Sequence, residues 1–419
     1  MQLVLKNYCP ARVRRGFMWA HRWLGLVCGI IVVLMGLTGS FNVFYREIDA
    51  ALNPALFTPA GPEQSINLTE VVRVAAAADP APIFAIVVPD KVWPVWVVMH
   101  THEGPKDSFP NLWTTMIDPS NGRVLGQRDY SNAPAFMIYR LHYTLLLYEW
   151  GGKQLVGVVG FVLLGLALSG LYSWWPKQGR FWRSISIRRG VSPLRFFVDV
   201  HNTTGFWALI VLLAISITGV GVVFPGAVRP VVGLLSKATA EPSPRIETPP
   251  PKGMPQLPAD AIMRIAQATK PALSITVLNP PTGTSNAWRV RFRPEDADPA
   301  VRSRGAIWLD PWSGAVVQDR TSDAMSVGDR YMTEQLWIHN GSTFGLFGRL
   351  LVFTAGFAPL ALFVSGGIMW FKKRSRRAMT DNGRAPEESN RCARDIATVS
   401  HSLNCQEDTT RDQAKHLFL

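Results

Sequence analysis

Four histidines in this 419-residue chain stand at related places. His21 is followed by Gly25, Thr38-Gly39 and Phe44; His201 is followed by Gly205, Thr218-Gly219 and Phe224, at the same offsets of four, seventeen, eighteen and twenty-three. His142 precedes Gly151, Ser169-Gly170 and Trp174; His339 precedes Gly348, Ser365-Gly366 and Trp370, the later offsets differing by one residue. An imidazole can titrate, hydrogen-bond or bind a metal. Duplicated imidazoles suit a planar cofactor with two axial positions, and histidine is a common axial ligand of haem iron. A zinc site would want four ligands, with thiolate or carboxylate among them, and neither accompanies the histidines.

The elements that carry these residues are membrane-length. A bilayer span needs about 20 mostly apolar residues, and four segments qualify: 18–45, 153–175, 203–225 and 348–371. From His21 to Phe44 is 23 residues, or about 35 Å of helix, so His21 cannot share a site with His142 or His339. The expected pairs are His21 with His201 at one face and His142 with His339 at the other. Arg22 and Arg195 on the inner side, and Arg140 and Arg349 on the outer side, are candidates to meet haem propionates. Glycines along the spans let backbones approach a flat ring or one another.

The formal net charge of +13, with 47% hydrophobic residues, finds a membrane explanation before a nucleic-acid one. Arg12, Arg14 and Arg15 precede the first span. Lys177, Arg180, Arg183, Arg188, Arg189 and Arg195 fill the 176–202 loop, and Lys372, Lys373, Arg374, Arg376 and Arg377 follow the fourth span. Basic short loops stay cytoplasmic. The basic terminus 1–17, the 176–202 loop and the 372–419 tail are therefore expected inside, and 46–152 and 226–347 outside. The 176–195 stretch could also meet anionic lipid. The first span is too long for a signal-peptide core and reads as a retained anchor. Cys9, Cys28, Cys392 and Cys405 avoid the external loops, so no disulfide framework is available there. The polar tail beyond about 378 is expected to be disordered.

The external segments repeat as well. "IDPSNGRVLGQRD" (117–129) resembles "LDPWSGAVVQDRT" (309–321), both with an Asp-Pro-x-x-Gly turn between strands. "LTEVVRVAAAADP" and "LPADAIMRIAQATKP" read as amphipathic helices, and "VWVVMH" and "WRVRFR" as strands. Each half is therefore span, α+β module, span, with 241–258 an extended Pro-rich linker. The tryptophans Trp93, Trp96, Trp288, Trp308 and Trp312 are expected in module cores. His100 and His102 are expected in a solvated loop. Neither a dinucleotide fingerprint nor a Walker A is present, so electrons must come from a separate reductase or from quinol.

"HRWLGL", "RLHYTLLL", "SGLYSWWPK", "DVHNTTGFW" and "LWIHNGSTFG", with the two Asp-Pro-x-x-Gly modules, make residues 10–375 resemble the PepSY-associated transmembrane proteins, also called PiuB-like iron-regulated inner-membrane proteins. The resemblance implies a bacterial inner-membrane protein with periplasmic PepSY-like modules. It further implies two b-type haems held by His21, His201, His142 and His339, and reduction of a ferric siderophore. The expected fold class is a membrane α-helical protein, a four-helix transmembrane bundle built from two parallel repeats. A rival reading is a membrane sensor or regulator whose modules bind peptide or protein partners. A chelate permease would want a polar passage at mid-membrane, which the featureless span centres do not offer.

Overall fold

A computed structural model describes residues 11–375 apart from 62–64, 105–108, 177, 178, 180, 245, 247–253 and 283–285. Cys9, Cys392, Cys405, the tail from 376 and parts of the linker lie outside the described residues. In chain order the helices are α1 (Ala11–Val27), α2 (Gly29–Val43), α3 (Tyr45–Leu52), α4 (Pro54–Phe57) and α5 (Leu68–Ala78). Strands β1 (Ile83–Val87), β2 (Trp96–His102), β3 (Asn111–Ile117) and β4 (Val124–Asp129) follow. Then come α6 (Pro134–Thr144), α7 (Gly152–Trp174), the short α8 (Phe181–Ser184), α9 (Pro193–Val223), α10 (Pro225–Gly233) and α11 (Ala259–Thr269). The chain continues through β5 (Leu273–Asn279), β6 (Trp288–Pro294), β7 (Gly305–Leu309), β8 (Val316–Arg320), α12 (Val327–His339) and α13 (Gly345–Ala355).

Among the described residues three helices are long and apolar enough to cross a membrane: Gly152–Trp174, Pro193–Val223 and Ser342–Ser375. The expected first span is broken. Its two halves meet at 64°, between Val27 and Gly29, and count as a fourth span if the bent pair is one crossing. The break falls at Cys28-Gly29, where the Phe363 ring packs so tightly on Gly29 that a Cβ there would stand 2.4 Å from it. Glycine at a packed bend is a common cause of a helix kink. Large apolar side chains on these helices face outward, among them Val27, Ile30, Trp207, Ile210 and Phe371. That suits a lipid environment and not an aqueous one.

The two α+β segments do not stand apart as separate modules. They share one eight-stranded antiparallel sheet in the order β4-β3-β2-β1-β5-β6-β7-β8. The seam is short, with Ile86 opposite Leu278 and Val87 opposite Val277. Both Asp-Pro-x-x-Gly turns form alike: Gly122 (φ +75°) and Gly314 (φ +72°) take the left-handed conformation that glycine tolerates. Their N–H groups donate to the carbonyls of Asp118 and Asp310. One face of the sheet packs under α5 and α11 through Val71, Ile262, Trp96, Ile86, Leu278 and Phe292. The other face packs on Phe57, Trp93 and Phe136, next to the helices. Trp93, Trp96, Trp288 and Trp308 are buried as expected, while Trp312 is half-buried. Phe292 is fully buried at the centre, so Phe292→Ala is expected to cost about 3–5 kcal/mol, seen as a lowered thermal midpoint of the detergent-solubilised protein.

His100 and His102 correct the expectation of a solvated loop. β2 runs on to His102, paired opposite Asn111 of β3. His100 is fully buried with Nδ1 3.0 Å from the Ala81 carbonyl. His102 Nε2 lies 2.8 Å from Asp79. Burial pushes the Asp79 carboxyl up, but the bonds from His102 and the Ala81 N–H bring it below its usual value. An alternating strand pattern carries these imidazoles into the module, where they serve the sheet.

Candidate cofactor site: two histidine pairs

The helices bring the four histidines together two by two, as the spacing predicts. The ring centres of His21 (α1) and His201 (α9) are 6.3 Å apart. Those of His142 (α6) and His339 (α12) are 6.2 Å apart. The second pair lies on the sheet side, since α6 and α12 follow the last strand of each half. The first pair is far from it: seventeen residues of α9, roughly 26 Å of helix, separate His201 from Thr218, the neighbour of His339.

Each ring is held in the same way, by a hydroxyl-glycine dipeptide of another helix. His21 Nδ1 is 3.0 Å from Ser169 Oγ, and His201 Nδ1 is 3.0 Å from Ser365 Oγ. His142 Nδ1 is 3.1 Å from Thr38 Oγ1, and His339 Nδ1 is 3.3 Å from Thr218 Oγ1. Each hydroxyl already donates to the carbonyl four residues back: Leu34 for Thr38, Gly165 for Ser169, Ala214 for Thr218 and Ala361 for Ser365. It therefore offers the imidazole a lone pair. The carbonyl three residues back joins it: Met35 for His142, Leu166 for His21, Ile215 for His339 and Leu362 for His201. A carbonyl oxygen only accepts, so Nδ1 must carry the proton in all four rings. The tautomer that remains has its lone pair on Nε2, free to bind a metal, which is how a second layer of contacts prepares a histidine ligand.

The glycines that follow the hydroxyl residues supply room. A Cβ on Gly39, Gly170 or Gly219 would stand 3.0, 3.1 or 2.9 Å from Cε1 of His142, His21 or His339, and on Gly366 it would stand 3.6 Å from that of His201. The sheet-side rings are deeply buried. Burial, with His339 nearby, takes the His142 imidazole down to about 3, and burial pushes His339 down too. Both stay neutral at physiological pH, as ligands must. After His142 the chain turns through Leu145 and Leu146, both left-handed at φ 52° and 58°. Such conformations cost about 1–3 kcal/mol and persist where surroundings impose them.

These distances suit a tetrapyrrole. Two axial bonds of about 2 Å and the two half-rings beyond them add to about 6 Å between imidazole centres. Among the described residues no group of three or more His, Cys, Asp and Glu could hold a lone metal ion.

The four arginines are placed unevenly. Arg22 is exposed. Arg195 pairs with Asp199 at 2.9 Å, and Arg188 joins the same carboxylate at 3.0 Å. Arg140 donates to the Ser131 carbonyl at 3.0 Å and covers the Phe109 ring. Arg349 is buried, 2.8 Å from the Val43 carbonyl and 3.4 Å from Asp298, and is also paired with Glu47.

A profile of the PepSY-associated TM region matches residues 18–373. The chain belongs to that family. No curated protein matches the sequence. This PepSY-associated protein is thus a membrane protein with three to four apolar helices and an antiparallel sheet. The sequence pointed to its four histidines but not to what Thr38, Ser169, Thr218 and Ser365 do. The signal was there, because the Thr-Gly pairs recur at the same offset from His21 and His201, and the Ser-Gly pairs at offsets from His142 and His339 that differ by one residue.

Proposed function

We propose that the protein is a di-haem electron-transfer protein of the bacterial inner membrane that reduces a ferric siderophore, or another ferric chelate, and releases Fe(II). In this reading the chain is a four-helix bundle of two parallel repeats, with both termini cytoplasmic and the sheet in the periplasm. His21 with His201 would hold the inner haem b, and His142 with His339 the outer one. Arg22 and Arg195 stand at the inner end, and Arg140 and Arg349 at the outer end. The observation that carries the reading is the fourfold device described above: paired rings about one macrocycle apart, each with Nδ1 tied to a hydroxyl and a carbonyl. A helix-packing histidine has no need of a fixed tautomer, and four of them have no need of the same one.

When bound, a haem supplies a one-electron iron couple. The chain's own part is to keep four imidazoles neutral and oriented, to exclude water from them, and to seat them at both ends of the spans. One electron converts Fe(III) held by hard oxygen donors to a more exchangeable Fe(II); the donor is a quinol or a cytoplasmic reductase. The test is a reduced-minus-oxidised spectrum of the purified full-length protein with pyridine-haem stoichiometry, followed by trapping of Fe(II) with a chromophoric ferrous chelator. The expected result is b-type bands, about two haems per chain and ferrous iron formed on adding reductant. Protein without haem absorbance overturns the proposal and favours the peptide-binding sensor.

A further inference from the structure

The loop between β6 and β7 leaves the sheet and grips α12, the helix that carries His339, and Arg46 of α3. Trp337, two residues before His339 on α12, donates to the Ser303 carbonyl at 2.6 Å. Arg304 pairs with Glu334 of the same helix at 3.2 Å. The Pro299 carbonyl accepts from Arg46 at 2.8 Å and Arg293 at 3.1 Å. Between these anchors stands Arg302. Its guanidinium lies 5.2 Å from the Trp93 ring centre and within electrostatic reach of Tyr45, Tyr130, Tyr139 and Asp90. Trp93 and Tyr139 both pack on Tyr45, with ring centres 6.2 and 6.4 Å apart, and Tyr139 is one turn before His142 on α6, so Arg302 belongs to the aromatic cluster that leads into the sheet-side pair.

This cation lacks a matching anion. Asp90 is a carboxylate within its electrostatic reach, but Asp90 is bound in two-pronged fashion by Arg46 at 2.8 and 2.9 Å, with Arg293 also 3.9 Å away. Glu47 and Asp298 belong to Arg349, and Asp49 belongs to Arg128. Nε and Nη2 of Arg302 are buried and have no hydrogen-bond partner among the described residues. A buried guanidinium with two idle donors is expensive, and its planar fork matches a carboxylate.

We propose that Arg302 is the receptor for a carboxylate ligand at the sheet-side end of the helices, supplied either by the side chains of the macrocycle between His142 and His339 or by an acidic ferric chelate arriving from the sheet side. The first source rests on the di-haem reading; the second does not.

The test uses full-length wild type, R302Q and R302K in detergent. One arm titrates haem-depleted protein with hemin and follows the Soret band; the other adds metal-free citrate and follows the thermal midpoint. R302Q is expected to weaken one ligand by about tenfold or more. R302K keeps the charge without the fork and should weaken it by a smaller factor. Loss in the hemin arm assigns the macrocycle, and loss in the citrate arm assigns a soluble carboxylate. Should R302Q not fold, R302K carries both measurements. If wild-type protein takes up no hemin, the di-haem reading fails and the citrate arm alone decides. Unchanged affinity in both arms for the folded variants overturns the proposal.

Discussion

On the di-haem proposal, His339→Ala is expected to remove the sheet-side haem and leave the other, so that pyridine-haem stoichiometry falls from about two per chain to about one. His142→Ala should do the same, because the two rings stand 6.2 Å apart and would share one cofactor. His21→Ala and His201→Ala should remove the opposite haem. The double variant His142→Ala/His339→Ala should then lose no more haem than either single one, while His142→Ala/His21→Ala should lose both. That pattern of non-additivity within a pair and additivity across pairs is the signature of groups acting as a unit. A sensor with structural histidines predicts unchanged absorbance throughout, and that outcome defeats the electron-transfer reading.

Gly219→Val should be as damaging at the sheet-side pair although it changes no ligand. A Cβ there would stand 2.9 Å from His339 Cε1, closer than real Cβ atoms approach, and 3.3 Å from its Nδ1. The ring must move, and with it Nε2. Overpacking of this kind costs about 1–3 kcal/mol, and a misplaced ligand costs more in cofactor affinity than in fold. Thr218→Val is the complementary change. It keeps the shape but replaces the hydroxyl that accepts from Nδ1 at 3.3 Å, leaving the Ile215 carbonyl at 2.9 Å. Removing such an outer contact is expected to weaken cofactor binding by about 10–100-fold, measured by hemin titration, with little change in melting. If Gly219→Val binds haem like wild type, the proposed seat of His339 is wrong.

Much of this was legible along the chain. Membrane-length apolar runs announce themselves because a bilayer imposes length and composition locally. The strands of both modules, the amphipathic α5 and α11 and the two Asp-Pro-x-x-Gly turns follow from short-range periodicity and backbone chemistry. The duplicated offsets around His21 and His201 gave the pairing, since equal spacing on equal helices places equal residues at equal depth. His100 and His102 were misjudged because a strand's end is set by its partner, here β3, and not by its own sequence.

What the sequence determined by itself was a family, a membrane setting and four histidines in two pairs. The tertiary structure decided the rest: the fusion of two modules into one sheet, the bend at Cys28-Gly29, the packing of Arg302 over Trp93, and the seating of each imidazole on a hydroxyl-glycine pair. The reason is range. His21 and Ser169 are 148 residues apart, and His201 and Ser365 are 164 apart. Local propensity sets each helix, but only the packing of one helix against another chooses which hydroxyl a ring nitrogen meets.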